Sequence, residues 1–181
     1  FPVAINFIYG ISLPKVVTTE PVTMPASSAY VRKQIKEVRA TLSQTGASGI
    51  DLSSTGSTIA LIGPKGSVPG VQTNDGKDTL IWTLTKPLAV NGSDDGTYTI
   101  SVVPVNSAKL KGQKLDYTFV YDTVSPKVNS NDINIWYSSG AGSSLVEVSA
   151  KISDESPSSG FDWTSVDNTW MELKDSGGKN I

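Results

Sequence analysis

The feature that most constrains this chain is that it repeats itself. Phe7-Ile-Tyr-Gly-Ile-Ser-Leu-Pro-Lys-Val16 returns as Phe119-Val-Tyr-Asp-Thr-Val-Ser-Pro-Lys-Val128, with the aromatic, Tyr, Pro, Lys and Val in register. Val38-Arg-Ala-Thr-Leu-Ser43 returns as Val148-Ser-Ala-Lys-Ile-Ser153, and Gly49-Ile-Asp51 as Gly160-Phe-Asp162. These matches share a period of about 111 residues, far above the ~20–50 of solenoids, so each unit has to be a domain with its own core. The chain then divides into the last strand and linker of a preceding repeat at 1–13, a complete repeat at 14–125, and the first half of a following repeat at 126–181. Pro14 and Pro126 suit the junctions, because proline fixes φ and cannot continue a central ladder. On this division the strand at 3–9 belongs to a domain that precedes it. The half repeat needs later strands, supplied by a chain that continues or by a second copy.

Period-two alternation predicts strands. Val38, Ala40 and Leu42 alternate with Glu37, Arg39 and Thr41. Val31, Ile35, Val38 and Leu42 also fall at helical spacing, but the repeat decides for a strand, because its partner at 146–152 follows a Gly/Ser stretch no helix would tolerate. Thr58–Ile62 reads as a buried strand ending at Gly63-Pro64. Val71–Thr73 and Thr79–Leu84 flank Asn74-Asp-Gly-Lys-Asp78, whose Asp-Gly step supplies a tight hairpin turn. Thr97–Val103 and Leu115–Tyr121 close the unit, making about seven strands with one near Pro14. The expected core is Val38, Ala40, Leu42, Ile59, Leu80, Trp82, Tyr98, Ile100, Val102, Tyr117 and Phe119.

Composition removes whole classes of chemistry. With no His and no Cys, Ser-His and Cys-His nucleophile pairs, disulfides and the usual zinc sites are excluded together. A net charge of -2 gives no basic field for nucleic acid. No apolar run approaches the ~18–20 residues that span a bilayer, so no membrane insertion is expected. Arg32, Lys33, Lys36 and Arg39 read as a solvated face, since no aromatic platform interleaves them in the sequence. Asp94/Asp95 and Asp154/Glu155 sit in turn-like surroundings and read as turn acids rather than a catalytic pair. Asp122 and Asn129–Asn134 bracket a junction with oxygen donors a calcium ion would take. The other junction has Gly10 and Val17–Glu20 in their place, so no metal and no cofactor is assigned. Gly63-Pro-Lys-Gly66 opens no helix and is not a phosphate loop.

Asp94-Asp-Gly-Thr-Tyr-Thr-Ile100 has the form Asp-x-Gly-x-Tyr-x-apolar. It is similar to the immunoglobulin-fold signature leading into strand F. Together with Asn91–Val102 and Phe119–Val128, it makes the chain resemble the immunoglobulin-like tandem repeat domains of large bacterial cell-surface or secreted proteins. The resemblance implies an all-β, immunoglobulin-like antiparallel β-sandwich. It makes Tyr98 a corner tyrosine with Asp94 and Gly96 as its structural partners, and puts Ile100 where antibody domains place a Cys, facing Ala40. Ile59 stands where a core Trp is usual, and Asn106-Ser-Ala-Lys-Leu110 replaces the Asp-x-Ala-Gly-Asn stretch of many such repeats.

Two function classes follow. The first, favoured by the resemblance, is a non-catalytic structural or adhesive spacer module, extracellular or on the cell surface. Its partners are neighbouring repeats of the same chain and a surface protein or glycan. The second is an ancillary carbohydrate-binding module of a secreted polysaccharide-active enzyme, with Trp136, Tyr137, Trp163 and Trp170 as platforms. No enzymatic activity is expected of either.

Overall fold

The computed structural model describes residues 12–21, 29–137, 145–161, 171–174 and 177–180, with the backbone alone at 130–137 and 145–147. The chain splits into two compact units, Phe1–Thr123 and Val124–Ile181. Among the described residues the structure is all-β, and no helix is long and apolar enough to cross a membrane. The strand expected at 3–9 lies outside the described residues.

In the first unit, β1 (Lys15–Glu20), β3 (Glu37–Ser43), β7 (Thr79–Leu84) and β6 (Gly70–Asn74) form a four-stranded sheet in the order β1-β3-β7-β6. A five-stranded sheet takes β2 (Ala29–Val31), β9 (Leu115–Tyr121), β8 (Gly96–Val103), β4 (Thr58–Gly63) and β5 (Gly66–Ser67) in the order β2-β9-β8-β4-β5. One pair, β2 with β9, is parallel, so the expectation of a wholly antiparallel structure is corrected. The chain changes sheets between β1 and β2, and β2 arrives running the same way as β9.

Alternation decides which faces meet. Val38, Ala40 and Leu42 of β3 are at most 1% exposed, while the residues between them are half-buried. Ile59 and Leu61 of β4, Leu80 and Leu84 of β7, Tyr98, Ile100 and Val102 of β8, Phe119 and Tyr121 of β9, and Ile35 and Leu88 from the connections join them in one core cluster. Each Val, Leu, Ile or Phe among them contributes about 1.5–3 kcal/mol when fully buried. Trp82 and Tyr117 were expected in this core and lie at its margin, half-buried against it. The Trp82 indole rests over Gly70, where a Cβ would come within 2.5 Å of Nε1, and donates to the Val68 carbonyl at 3.3 Å.

The helical spacing of Val31, Ile35, Val38 and Leu42 comes from a sheet-to-sheet crossing. Val31 sits on β2, Ile35 is buried in the connection, and Val38 and Leu42 sit on β3. Without disulfides, the sheets are also tied by Gln72 of β6. Its amide accepts from Ile59 N at 2.9 Å and donates to Ser57 O at 2.9 Å, bridging the start of β4 to the opposite sheet. The β6–β7 hairpin is closed by Asp75, whose Oδ1 accepts the amides of Lys77, Asp78 and Thr79 at 2.9–3.1 Å. Those donors, Thr79 first, hold its carboxyl down at about 2.

In the second unit, β10 (Lys127–Tyr137) pairs antiparallel with β11 (Leu145–Ser153), and Lys174 and Asn180 form an isolated bridge. The register opens as Lys127↔Ser153 and Val128↔Ile152. In the first unit, β1 and β3 open as Lys15↔Ser43 and Val16↔Leu42.

Candidate functional site

The corner named from sequence sits where β8 begins. Tyr98 Oη donates to the Asp94 carbonyl at 2.6 Å, and the ring stacks on Phe119 with centroids 5.6 Å apart and meets Tyr121 edge-on. Burial, with Asp94 nearby, pushes the Tyr98 hydroxyl up to about 12. Gly96 lies at φ +150°, with Pro64 Cγ 2.6 Å from where a Cβ would stand, so the turn has no room for a side chain there.

Both acids of the corner are committed to the backbone. Asp94 Oδ2 accepts the Ala89 amide at 2.8 Å. Asp95 accepts both the amide and the hydroxyl of Thr123 at 2.8 Å, and the Thr123 hydroxyl in turn accepts the Gly92 amide at 3.0 Å. The Asp-Asp-Gly-x-Tyr motif and the Tyr121-Asp-Thr123 motif are therefore one assembly, which fixes the chain as it leaves the first unit. Nothing in their separate spacing announces that pairing.

A second polar assembly occupies the other end of the β4–β8 pair. Ser57 Oγ donates to Val105 O at 3.0 Å and accepts from Val105 N at 2.8 Å, inside the core. Asp51, 8% exposed, accepts the Ser53 amide at 3.0 Å and the Lys109 ammonium at 2.5 Å, and its own amide donates to Val105 O. The Lys109 bond, then Ser53, holds the Asp51 carboxyl down at about 2. Lys109 stands at φ 64°, and Asn106 Oδ1 accepts the Leu110 amide at 2.9 Å beneath it. Lys109 is thus a non-glycine residue in the left-handed region.

The remaining candidates are dispersed. Asp154 accepts from Ser158 Oγ at 2.6 Å and Gly160 N at 3.2 Å, and Glu155 pairs with Lys127 at 2.9 Å. Asn129 to Asn134 lie on β10, where pairing with β11 is interrupted. Asp122 is buried, and its amide donates to Val31 O. Among the described residues, no three of His, Cys, Asp and Glu come together in a set that could hold a metal ion. Of the expected sugar platforms, Trp136 and Tyr137 are described by backbone alone on β10, and Trp163 and Trp170 lie outside the described residues. No protein-family model matches the chain, and no curated protein matches it either.

Proposed function

We propose that residues 14–125 form an immunoglobulin-like domain and that the unit after it begins a second copy. In this reading the chain is a non-catalytic structural or adhesive spacer of an extracellular bacterial repeat protein, with neighbouring repeats as its first partners. The observation that carries it is the shared register: the pairing that opens β1–β3 is the pairing that opens β10–β11, residue for matching residue. The matching glycines Gly49 and Gly160 also both adopt positive φ, 64° and 78°.

The order of strands supports the fold assignment. Constant-type immunoglobulin domains place strands A, B, E and D on one sheet and C, F and G on the other. The sheet β1-β3-β7-β6 follows A-B-E-D, and β9-β8-β4 follows G-F-C, with β2 and β5 added at the edges. Tyr98 bonded back to the Asp94 carbonyl is the arrangement of a tyrosine corner. The clamp of Asp95 on Thr123 suits a spacer, since it holds the point where one unit hands the chain to the next.

Two experiments test the two halves of the reading. Grafting the β11 sequence onto β3, as R39S/T41K/L42I, keeps Val38 and Ala40 and changes one core methyl position. It should cost no more than about 1.5 kcal/mol in urea unfolding, and a graft that fails to fold would overturn the equivalence. Antibodies raised against the chain should label intact cells of its source, and labelling only after lysis would overturn the extracellular setting.

A further inference from the structure

The connection between β2 and β3 lines an open groove of about 640 Å³, within the ~300–1,000 Å³ range of small-ligand clefts. Its frame is fixed. Ile35 is 3% exposed and its carbonyl accepts Leu88 N at 2.9 Å, while Lys36 O accepts Leu84 N at 2.9 Å and Val31 O accepts Asp122 N at 3.1 Å. The cationic side chains Arg32, Lys33 and Lys36, all lining the groove, are exposed. The acid among the described lining residues, Glu37, is already bound to Arg39 at 2.6 Å. Three cations thus share one concave surface on a chain whose net charge is -2.

The sequence reading of this cluster as a solvated face rests on no aromatic platform interleaving it. The structure places Tyr30, 50% exposed, in the same groove. An exposed aromatic side chain next to cations on a fixed backbone and aliphatic side chains matches a ligand with a C–H-rich face and several carboxylates. We propose that this groove binds an acidic glycan. A uronic-acid ring stacks on Tyr30, and the carboxylates of that sugar and its neighbours pair with Arg32, Lys33 and Lys36. This goes beyond the spacer reading and uses side chains of the first unit alone, so its failure leaves that reading in place.

The test is titration of the whole chain with a short oligogalacturonate, followed by calorimetry or amide shifts. The controls are a neutral oligosaccharide of equal length, a single-stranded oligonucleotide and inorganic phosphate. Binding should weaken about tenfold in R32Q/K36Q and several-fold in Y30A, with thermal unfolding of the double variant unchanged. The neutral sugar should not bind. Equal affinity of R32Q/K36Q and the parent would overturn the site. So would an oligonucleotide or phosphate that binds as tightly as the uronate. A Y30A chain that keeps full affinity would reduce the groove to non-specific charge and overturn the glycan assignment. Should Y30A unfold, the chemically milder Y30L, which keeps bulk and loses the ring, serves in its place.

Discussion

The two ends of the first unit solve one problem with opposite chemistry. At the start of β4, Ser57 and Asp51 knit the chain through a buried hydroxyl and an ionised carboxylate. At the start of β8, Tyr98 does so through a neutral phenol buried between Phe119 and Tyr121. The difference teaches what each end can tolerate. The Ser57 hydroxyl bonds twice to one residue inside the core, where water cannot replace it, whereas the Asp94 carbonyl belongs to a half-buried residue in the turn before β8.

The largest effect should therefore fall on Ser57. Ser57→Ala leaves the Val105 amide buried without its acceptor, at a cost of about 2–3 kcal/mol in urea unfolding. Tyr98→Phe keeps the stacked ring and loses one bond, at a cost of about 1–2 kcal/mol. A larger loss for Tyr98→Phe than for Ser57→Ala would reverse the comparison.

Acid and alkali should separate the same two ends. Asp51 titrates lower in the folded chain than its ordinary value of 3.8, so its contribution is complete above about pH 4 and is lost as pH falls through about 2. Tyr98 titrates higher than its ordinary 10, so its contribution is complete below about pH 10 and is lost as pH rises through about 12. Asp51→Asn should flatten part of the acid limb of the stability curve, the rest belonging to groups such as Asp75. Tyr98→Phe should flatten part of the alkaline limb, the rest belonging to groups such as Tyr121, whose hydroxyl burial also pushes up, and should leave the acid limb as it was. A variant that moved the opposite limb would show that the two ends are coupled.

What could be read in the sequence follows the same division. Asp94 to Ile100 is one continuous motif, so its resemblance to the signature leading into strand F could single out Tyr98, and the bond from Tyr98 to the Asp94 carbonyl falls inside that stretch. The alternation of β3, β8 and β9 announced their buried faces, and the Asp75-Gly76 step announced its hairpin. The other end draws Asp51, Ser57, Asn106 and Lys109 from two loops that meet only once β4 and β8 pair, and no local pattern joins them. The basic groove was hidden for a related reason. Arg32, Lys33 and Lys36 read as a charged face because no aromatic falls between them; Tyr30, two residues before Arg32, was in plain view, but the concavity that gathers all four forms only where the chain crosses from β2 to β3. Trp82 was misplaced because flanking leucines mark the inward face of β7 without saying that its edge, over Gly70, is where a large indole fits.

The smallest effect should come from Lys109, and it separates two terms that oppose each other. Its ammonium pairs with Asp51 while remaining 63% exposed, which limits that pair to about 0.5–1 kcal/mol. Its backbone stands at φ 64°, which costs a non-glycine residue about 1 kcal/mol. Lys109→Ala loses the pair and keeps the strain, so it should destabilise by up to about 1 kcal/mol. Lys109→Gly loses the pair and relieves the strain, although glycine also raises the entropy of the unfolded chain. The glycine variant should therefore lie within about 0.5 kcal/mol of the parent and above the alanine variant. Equal losses in both would mean that the left-handed backbone carries no strain, and that the lysine is held there by its carboxylate alone.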